Sequence, residues 1–437
     1  MMIDGHPSLF SASLFLHLRS QKVIMEILYN TGIVLFSLIT LILSPFSHKI
    51  SLWRKGRKNW RVTLNQKIKP EEKYVWIHCA SLGEFEQGRP VIEAIREQMP
   101  GIKIILTFFS PSGYEVRKNY READYICYLP SDTPSNARFF VNTVTPLFTI
   151  FVKYEFWHNY ISELHRNGIP LYLISAIFRP DQHFFRWYGS FFRQMLRKFN
   201  HIFVQDRESL DLLNNIGIKK VRAAGDTRFD RVKTIAEAAR ELPVLSAFRG
   251  SEKIFIAGSS WERDEEIIAQ YINRYPSRMK WVFAPHEIDD RHIERIERLI
   301  KVKSVRYSAF SGEKADSRVL IIDNIGMLSS AYRYAYIAEI GGGFGKGIHN
   351  ILEAACWGIP VMFGPVYGKF REAVELLQSG GARSFKNYPE FESILDLWIS
   401  DAKEYRKASE AAGTYVSQNT GAIDIIMKII NEQVINS

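Results

Sequence analysis

A glycine-rich loop between two apolar segments holds the residues best suited to bind a nucleotide. Residues 337–365 predict a strand, a loop with glycines at 341, 342, 343, 345 and 347, a helix beginning after Asn350, and a second strand. Such a loop exposes backbone N–H groups to an anion, and the helix dipole adds partial positive charge. Glu353 lies on the same side of the first helical turn as Asn350, where its carboxylate can accept hydrogen bonds from ribose hydroxyls. For the glycines alone a tight turn is the alternative, but His349 and its neighbours favour a nucleotide or nucleotide-sugar site.

Two carboxylates follow strands in the N-terminal half. Glu84, in SLGE (81–84), can act as a general base on a hydroxyl if partial burial raises its pKa from ~4.3 towards 7. Its alternative role is to stabilise the helix dipole. In KYEFW (153–157), Lys153 and Glu155 follow another strand, and a surface ion pair is the alternative there.

Further polar residues also follow predicted strands. They are Arg179 in SAIFRP, Arg228 in GDTRFD, Ser259 and Ser260 in AGSS, and His286 and Arg291 in APHEIDDRHIER. Each has an ordinary structural explanation, such as helix capping by Ser260. Because ligands of parallel sheets lie beyond the carboxyl ends of the strands, together they predict one site in a cleft.

Apolar strands alternate with helical patterns from residue 74 onwards, which predicts an α/β protein with parallel sheets. The predicted strands cover residues 74–80, 102–108, 126–129, 147–152, 171–176, 201–205, 221–225, 253–259, 281–285, 304–308, 318–323, 334–340, 359–363 and 382–385. We expect two Rossmann-like domains facing a cleft, at residues 49–235 and 253–437, joined by a charged helical linker at 236–252. An aromatic, basic helix is predicted at 185–199.

The N-terminal region predicts a membrane anchor at residues 25–48. Residues 27–43 carry no charge and are just long enough to span a bilayer, although a core helix or a signal peptide has a similar composition. The lysines and arginines that follow place the rest of the chain in the cytoplasm by the positive-inside rule, against anionic lipid headgroups. Residues 1–24 differ from the rest, and Met25 would serve as a start, so we interpret them as a non-native or flexible extension.

Composition excludes several classes of protein. The net charge of +10 suits an anionic partner, and the absence of a nucleic-acid motif favours a membrane and an anionic substrate over nucleic acid. The three cysteines are far apart in the sequence, which predicts neither a disulfide framework nor a zinc site and fits a reducing compartment.

Six segments, in order, resemble the Kdo transferases. These are membrane-anchored glycosyltransferases of the GT-B type, which add 3-deoxy-D-manno-octulosonic acid (Kdo) to a lipid A precursor. The resemblance extends over nearly the whole chain from about Met25. It is carried by SLGE (81–84), KYEFW (153–157), GDTRFD (225–230), AGSSWERDEE (257–266), DNIGML (323–328) and GGGFGKGIHNILEAACWGIPVMFGP (341–365).

The resemblance implies a reaction and a set of site residues. CMP-Kdo would be the donor and lipid IVA the acceptor, in lipopolysaccharide biosynthesis at the cytoplasmic face of the inner membrane, with inversion and without a metal or cofactor. Glu84 matches the catalytic base. Donor binding would involve Ser259, Ser260, His286, Gly342, Gly343, His349, Asn350 and Glu353, with substrate or supporting roles for Ser81, Gly83, Lys153, Glu155, Arg179, Arg228 and Arg291.

This chain also departs from the family pattern. Pro285-His286-Glu287 stands where the family has Pro-Arg-His, Arg179 lies two places late, and Met327 replaces a glutamate. Two alternatives therefore remain: a GT-B enzyme that uses a UDP-sugar, and an inactive membrane-bound relative that binds glycolipid. The aromatic, basic stretch 183–198 would contact acyl chains and lipid phosphates, or pack as an ordinary helix.

Overall fold

Two compact units make up the chain. The computed structural model describes residues 9–311 and 316–435, with side chains from residue 23 to residue 434. Unit 1 comprises Met1–Thr227 and Gly421–Ser437, and unit 2 comprises Arg228–Thr420. Each contains a seven-stranded sheet in which every pair of neighbouring strands is parallel.

Unit 1 begins with three helices, α1 (Leu9–Leu43), α2 (His48–Lys55) and α3 (Trp60–Lys67). Its strands are β1 (Tyr74–Cys79), β2 (Lys103–Phe108), β3 (Tyr125–Tyr128), β4 (Phe148–Val152), β5 (Leu171–Ala176), β6 (His201–Val204) and β7 (Val221–Ala223). The helices between them are α4 (Leu82–Gln98), α5 (Pro111–Arg117), α6 (Pro134–Val144), α7 (His158–Arg166), α8 (Ser190–Leu196) and α9 (Arg207–Asn215). The strand order β3-β2-β1-β4-β5-β6-β7 makes β1 and β4 neighbours.

Unit 2 repeats the alternation of helix and strand. Its helices are α10 (Thr227–Glu237), α11 (Pro243–Arg249), α12 (Glu262–Arg274), α13 (Asp290–Leu299), α14 (Leu328–Ala331), α15 (Leu352–Ala355), α16 (Arg371–Ser379), α17 (Tyr388–Ser400) and α18 (Ala402–Gln418). Its strands are β8 (Ile254–Ser260), β9 (Lys280–Pro285), β10 (Ser304–Arg306), β11 (Val319–Ile321), β12 (Ile337–Ile340), β13 (Val361–Phe363) and β14 (Ala382–Ser384). The order β10-β11-β9-β8-β12-β13-β14 makes β8 and β12 neighbours.

The strand order of each sheet predicts where a ligand binds. All residues of β1, β4 and β5 are buried, as expected for parallel strands covered by helices on both faces. The direction of the strand order reverses between β1 and β4 in unit 1, and between β8 and β12 in unit 2. The loops that follow such a pair of strands diverge and leave a crevice, so we expect a ligand to bind at this point in each unit.

The structure confirms all the predicted strands, with shifts at their ends, but corrects one predicted helix. Residues 185–199 do not form a continuous helix, because a short 3-10 turn (His183–Phe185) is followed by α8 only from Ser190. The chain folds back at Gly189, where a Cβ atom would lie 2.2 Å from the carbonyl oxygen of His183.

The predicted domain boundaries also need correction. A last helix, α19 (Ala422–Ile435), packs Ala422, Ile426 and Ile430 into the core of unit 1, so the second domain does not extend to residue 437. The apolar spacing of four residues gives α19 one buried stripe. Residues 236–252 are not a free linker either, since Leu245 and Phe248 of α11 are buried in the core of unit 2.

The N-terminal helix includes the predicted membrane anchor. Val23–Leu43 is a 21-residue segment that is long and apolar enough to cross a membrane, with a mean hydropathy of 1.8. Residues 9–24 continue the same helix, whereas residues 1–8 of the predicted extension lie outside the described residues.

Candidate active site

Glu84 lies in the first turn of α4, directly after β1. Ser81 is the N-cap residue, and its backbone N–H donates to Oε2 of Glu84 at 3.0 Å, which completes a capping box. Burial, and then the charge of Glu155, raise the pKa of Glu84 to about 7. The carboxylate therefore caps the helix and also has the pKa that suits a general base at neutral pH.

Glu155 follows β4, next to the end of β1. Its side chain is buried, and Oε2 accepts hydrogen bonds from Nε1 of Trp157 at 2.5 Å and from Nε2 of His78 at 2.9 Å. A surface ion pair with Lys153 is therefore the wrong interpretation of this motif. The two N–H groups hold this carboxylate in place, and its charge is the second cause of the raised pKa of Glu84.

A buried network connects Glu155 to the interior of the sheet. Nε1 of Trp76 donates to Oγ1 of Thr107 at 2.8 Å, and Oγ1 of Thr107 lies 2.8 Å from Nδ1 of His78. If the Thr107 hydroxyl donates to Nδ1, His78 carries its proton on Nε2 and donates a hydrogen bond to Glu155. We assign this tautomer because every group in the chain from Trp76 to Glu155 then has a partner.

Sequence reasoning did not find His78. It lies within an apolar strand, and a lone histidine there suggests only a buried side chain. The contacts of His78 depend on strand pairing. His78 lies opposite Thr107 in the register of β1 and β2, and β1 is also paired with β4, which precedes Glu155.

Two residues at the carboxyl ends of β4 and β5 adopt left-handed backbone conformations. Lys153 has φ 70° after β4, and Ser175 has φ 53° near the end of β5. Non-glycine residues pay a steric cost in this region, and such positions cluster at functional sites. Lys153 lowers the pKa of Glu84, which brings it into the same site, whereas Arg179 is exposed beyond β5 and its backbone N–H donates to Oε1 of Gln182.

Gly83 lies next to Glu84 and has open space around it. A Cβ atom there would have no neighbour within 4 Å, so packing does not require a glycine beside Glu84. Open space next to a candidate base is what an acceptor hydroxyl needs.

In unit 2 the glycine loop follows β12, but most of its N–H groups are not bare. Those of Gly341 and Gly342 donate to the Gly258 carbonyl and to Oδ2 of Asp264, and those of Gly345 and Gly347 donate to the Gly342 carbonyl. The expectation of an open row of N–H donors is wrong for these four. Close packing explains two of the glycines: a Cβ at Gly341 would lie 2.2 Å from the Ser259 carbonyl oxygen, and one at Gly343 would lie 2.6 Å from Cα of Gly364.

The predicted pair Asn350 and Glu353 is present, although α15 begins only at Leu352. Oδ1 of Asn350 accepts from the backbone N–H of Leu352 at 3.2 Å, and its Nδ2 donates to Oε1 of Glu353 at 3.0 Å. The Ser329 hydroxyl donates to the other oxygen of Glu353. The carboxylate is thus held in one orientation next to the glycine loop.

Three rings form a platform at the same edge of the sheet. His286 stacks on Trp261, with ring centroids 4.7 Å apart, and on His349, with centroids 4.3 Å apart. Nε1 of Trp261 donates to Nε2 of His349 at 3.0 Å. Burial, and then His286, lower the pKa of His349 to about 4, so His349 is neutral at physiological pH and accepts this bond. Trp261 could not be selected from the sequence, because its role depends on stacking with His286 and a hydrogen bond to His349.

The two serines after β8 have different environments. Ser259 has φ 52° and lines a pocket of about 240 Å³ together with His286 and Asn324. Ser260 is buried, and its hydroxyl donates to Oε1 of Glu265 at 3.0 Å, which also binds His292. The N-cap of α12 is Trp261, so the alternative role of Ser260 as the cap of this helix is wrong.

Two buried acids support the glycine loop from inside unit 2. Asp264 accepts from the N–H groups of Trp261 and Gly342, both at 3.0 Å, and burial raises its pKa to about 6. Glu339 in β12 is also buried, and burial followed by the charge of Asp264 raises its pKa well above the usual range.

Arg228 and Arg291 are the remaining predicted residues of unit 2. Arg228 in α10 donates to Oε1 of Glu372 at 2.9 Å, and Arg291 is exposed on α13. Within the described residues, the one cluster with metal-ligand spacing is Glu287, Asp289 and His292. His292 of this cluster is already hydrogen-bonded to Glu265, which lies outside the cluster. Exposed acidic groups also commonly occur without an ion.

Comparison with known proteins shows that the chain is similar to one family of transferases. Residues 56–231 match the family model for 3-deoxy-D-manno-octulosonic-acid transferase (kdotransferase). Over 354 residues the chain is 28% identical to the 3-deoxy-D-manno-octulosonic acid transferase of Aquifex aeolicus, covering 79% of this chain and 92% of that protein. The Haemophilus influenzae enzyme of the same name is 24% identical over 373 residues, covering 83% and 87%.

Residues 56–231 thus match the Kdo transferase domain, and most of the chain is similar to proteins named as this transferase. The similarity indicates a glycosyltransferase, and the two α/β units have a GT-B type fold. The family model includes Glu84, Lys153, Glu155 and Arg179, together with Arg228 at its end.

Solved structures support the fold. UDP-GlcNAc 2-epimerase from Neisseria meningitidis, bound to UDP-GlcNAc, has a TM-score of 0.55 at 17% identity, covering 82% of this chain and all of that one. A glycosyltransferase from Rickettsia africae has a TM-score of 0.50 at 13% identity, covering 84% and 100%. Similarity at these identities concerns the fold and does not select the nucleotide.

Proposed function

We propose that this protein is a Kdo transferase, which moves Kdo from CMP-Kdo to a lipid A precursor, lipid IVA, in lipopolysaccharide biosynthesis. The observation that carries the proposal is Glu84, a carboxylate at the switch point of the unit 1 sheet whose pKa is raised to about 7. Similarity to the Kdo transferases supports Kdo as the transferred sugar.

In the proposed reaction Glu84 acts as the general base. Its carboxylate takes the proton of an acceptor sugar hydroxyl while that oxygen attacks the anomeric carbon of Kdo. The bond from this carbon to the phosphate oxygen breaks, CMP leaves with the bonding electrons, and the configuration inverts. Glu155 acts through Glu84 as a positioning residue, because its negative charge keeps the base protonatable near pH 7.

Ser81, Gly83, Lys153 and Arg179 support the reaction in unit 1. Ser81 orients Glu84 through its N–H, and Gly83 leaves space beside the base. Lys153 and Arg179 provide positive charge for the anionic substrates.

Unit 2 would bind the donor nucleotide. We assign the ribose hydroxyls to Glu353, since Asn350 and Ser329 orient its carboxylate. The nucleobase would stack on the platform of His286 and His349. Of these two residues, His286 occupies the position where the family has an arginine. Ser259, Ser260, Gly342 and Gly343 surround the proposed position of the leaving phosphate, and Arg228 and Arg291 supply positive charge at its edge.

A lipid acceptor requires the enzyme to work at a membrane. We propose the cytoplasmic face of the inner membrane, with α1 as the anchor and the basic residues after it on anionic lipids. The aromatic, basic stretch 183–198 would contribute to the same attachment; Trp187 within it is 92% exposed.

A nucleotide competition assay combined with mass spectrometry tests the donor. The purified protein is incubated with lipid IVA and CMP-Kdo generated in situ, and CMP or UMP is added as competitor. We expect a mass increase of the acceptor by one or more Kdo residues, and inhibition by CMP more than by UMP. Turnover of a UDP-sugar without transfer from CMP-Kdo would contradict the proposal and favour the UDP-sugar enzyme.

A further inference from the structure

Helix α1 has two different faces over residues 23–43. One stripe, through Met25, Tyr29, Ile33, Ser37 and Thr40, is partly or fully buried against unit 1. The rest of its surface consists of exposed apolar side chains: Val23, Ile24, Ile27, Leu28, Val34, Leu35, Phe36, Leu38, Ile39, Leu41, Ile42 and Leu43. The helix therefore lies along the folded unit and does not project away from it.

The contacts at the N-terminal end of this stripe are specific and polar. The Tyr29 hydroxyl donates to Oδ2 of Asp132 at 2.6 Å, and Nδ2 of Asn159 donates to Oδ1 of Asn30 at 2.9 Å. The ring of Tyr29 packs against His158 and Phe191, with centroids 5.4 and 6.1 Å away. Asp132 also accepts from the backbone N–H groups that begin α7, so this contact is part of the core of unit 1.

The contacts continue towards the C-terminal end of α1. Phe36 packs on Trp53 and Phe109, with centroids 5.6 and 6.2 Å away. Arg57 lies 3.8 Å over the Trp53 ring and donates to the carbonyl oxygens of Leu129 and Phe109. Thr40 is only 7% exposed.

These contacts are incompatible with a helix that crosses the bilayer. From Glu26, beside His158, to Thr40 the helix advances roughly 21 Å at ~1.5 Å per residue. The hydrocarbon core of a bilayer is ~30 Å thick. If α1 crossed it, Asp132, His158 and Arg57 would enter the hydrocarbon with it, together with the sheet edges and loops around them. Charged side chains and irregular backbone are not tolerated at lipid-exposed depth.

We propose that α1 lies in the plane of the membrane, within one leaflet, with its apolar face on the acyl chains and its contact stripe on unit 1. The partner is an anionic phospholipid surface. The residues that follow the helix favour it: Lys49, Arg54, Lys55 and Lys58 are exposed and suited to lipid phosphates, and Phe46 is 85% exposed. The inference rests on the proposed membrane association and is independent of the transfer chemistry.

A depth measurement tests this arrangement. Single cysteines at Ile27, Leu35 and Ile42, on the exposed face, are introduced into the full chain with Cys79, Cys127 and Cys356 changed to alanine, and are spin-labelled. The protein is placed in vesicles of phosphatidylethanolamine and phosphatidylglycerol. We expect all three labels at one similar depth, ~5–10 Å into the interface. A label at Leu35 near the bilayer centre, with the labels at Ile27 and Ile42 near opposite surfaces, would overturn the proposal.

A cross-linking measurement in the same vesicles tests the contact stripe. The pair Asn30→Cys and Asn159→Cys is treated with a short bifunctional thiol reagent, and the pair Leu35→Cys and Asn159→Cys serves as the control. We expect an intramolecular cross-link in the first pair only. Cross-linking between two copies through Ile42→Cys, together with low accessibility of the labels to lipid-soluble oxygen, would instead show that a second chain covers the apolar face.

The outcome is distinguishable from a failure of the proposed function. Kdo transfer by the cysteine-free chain is measured with detergent-dispersed acceptor. Loss of transfer with the shallow depth retained would refute the function and leave the topology intact.

Discussion

Replacing Glu155 with glutamine tests how the site sets the pKa of its base. The variant keeps the size of the side chain and an oxygen that can accept from Trp157 and His78, but removes the negative charge. In the wild type the pKa of Glu84 is raised from 4.5 to about 7, with burial as the largest cause and Glu155 as the next. Since burial contributes more, we expect Glu155→Gln to lower the pKa of Glu84 by roughly one pH unit.

The assay is the pH dependence of kcat/KM for Kdo transfer. A general base works only when it is deprotonated, so activity is present above its pKa and is lost as the pH falls through it. The acid limb of the wild type should lie near pH 7, and that of Glu155→Gln roughly one pH unit lower. The matched control is Glu86→Gln, which removes a carboxylate from the same helix that pairs with Arg117. An unchanged acid limb in a folded Glu155→Gln variant would refute the link between Glu155 and the base.

Three further variants test separate parts of the site. Gly341→Ala should lower the free energy of unfolding by about 1–3 kcal/mol, because the new methyl group meets the Ser259 carbonyl. Gly83→Ala should change the free energy of unfolding by less than about 0.5 kcal/mol, but should lower kcat/KM for the acceptor roughly tenfold. Equal melting temperatures for the two would contradict this. Trp261→Ala should weaken CMP binding by about 1–3 kcal/mol in calorimetry. Trp261→Phe should weaken it less, because this variant keeps a ring and loses only the hydrogen bond to His349. Unchanged CMP affinity in both variants would exclude the platform as the site of the nucleobase. Burial holds the pKa of His349 at about 4, below its ordinary 6.5, so the stability from its neutral form is complete above pH 6.5 and declines as the pH falls towards 4. His349→Gln should lose less stability than the wild type between pH 7 and pH 5 in chemical denaturation, and an identical loss would show that His349 titrates normally.

The sequence predicted the fold well, because its signals are local. Apolar runs bounded by glycine and polar residues predicted every strand, and the strand-end position of Glu84 follows from β1 alone. The return of α19 to unit 1 could not be predicted in this way. Its apolar stripe shows that it packs, but the partner of a helix depends on the folded chain.

The site was predictable in its residues but not in its connections. Glu84 and Glu155 were both candidates, yet the contact of Glu155 with His78 depends on the pairing of β1 with β2 and β4. The glycine loop shows the opposite error. Its composition predicted exposed N–H donors, but Asp264, far away in sequence, takes one of them and neighbouring carbonyls take three others.

If Glu84 is the base for Kdo transfer, the Glu84→Gln variant must be slow in the chemical step. Single-turnover transfer from CMP-Kdo to lipid IVA is followed by mass spectrometry for the wild type, Glu84→Gln and the control Glu86→Gln, with CMP affinity measured in parallel. We expect Glu84→Gln to be slower by a factor of ~10²–10⁴ with unchanged CMP affinity, and Glu86→Gln to transfer at nearly the wild-type rate. Transfer by Glu84→Gln at the wild-type rate would show that Glu84 is not the base.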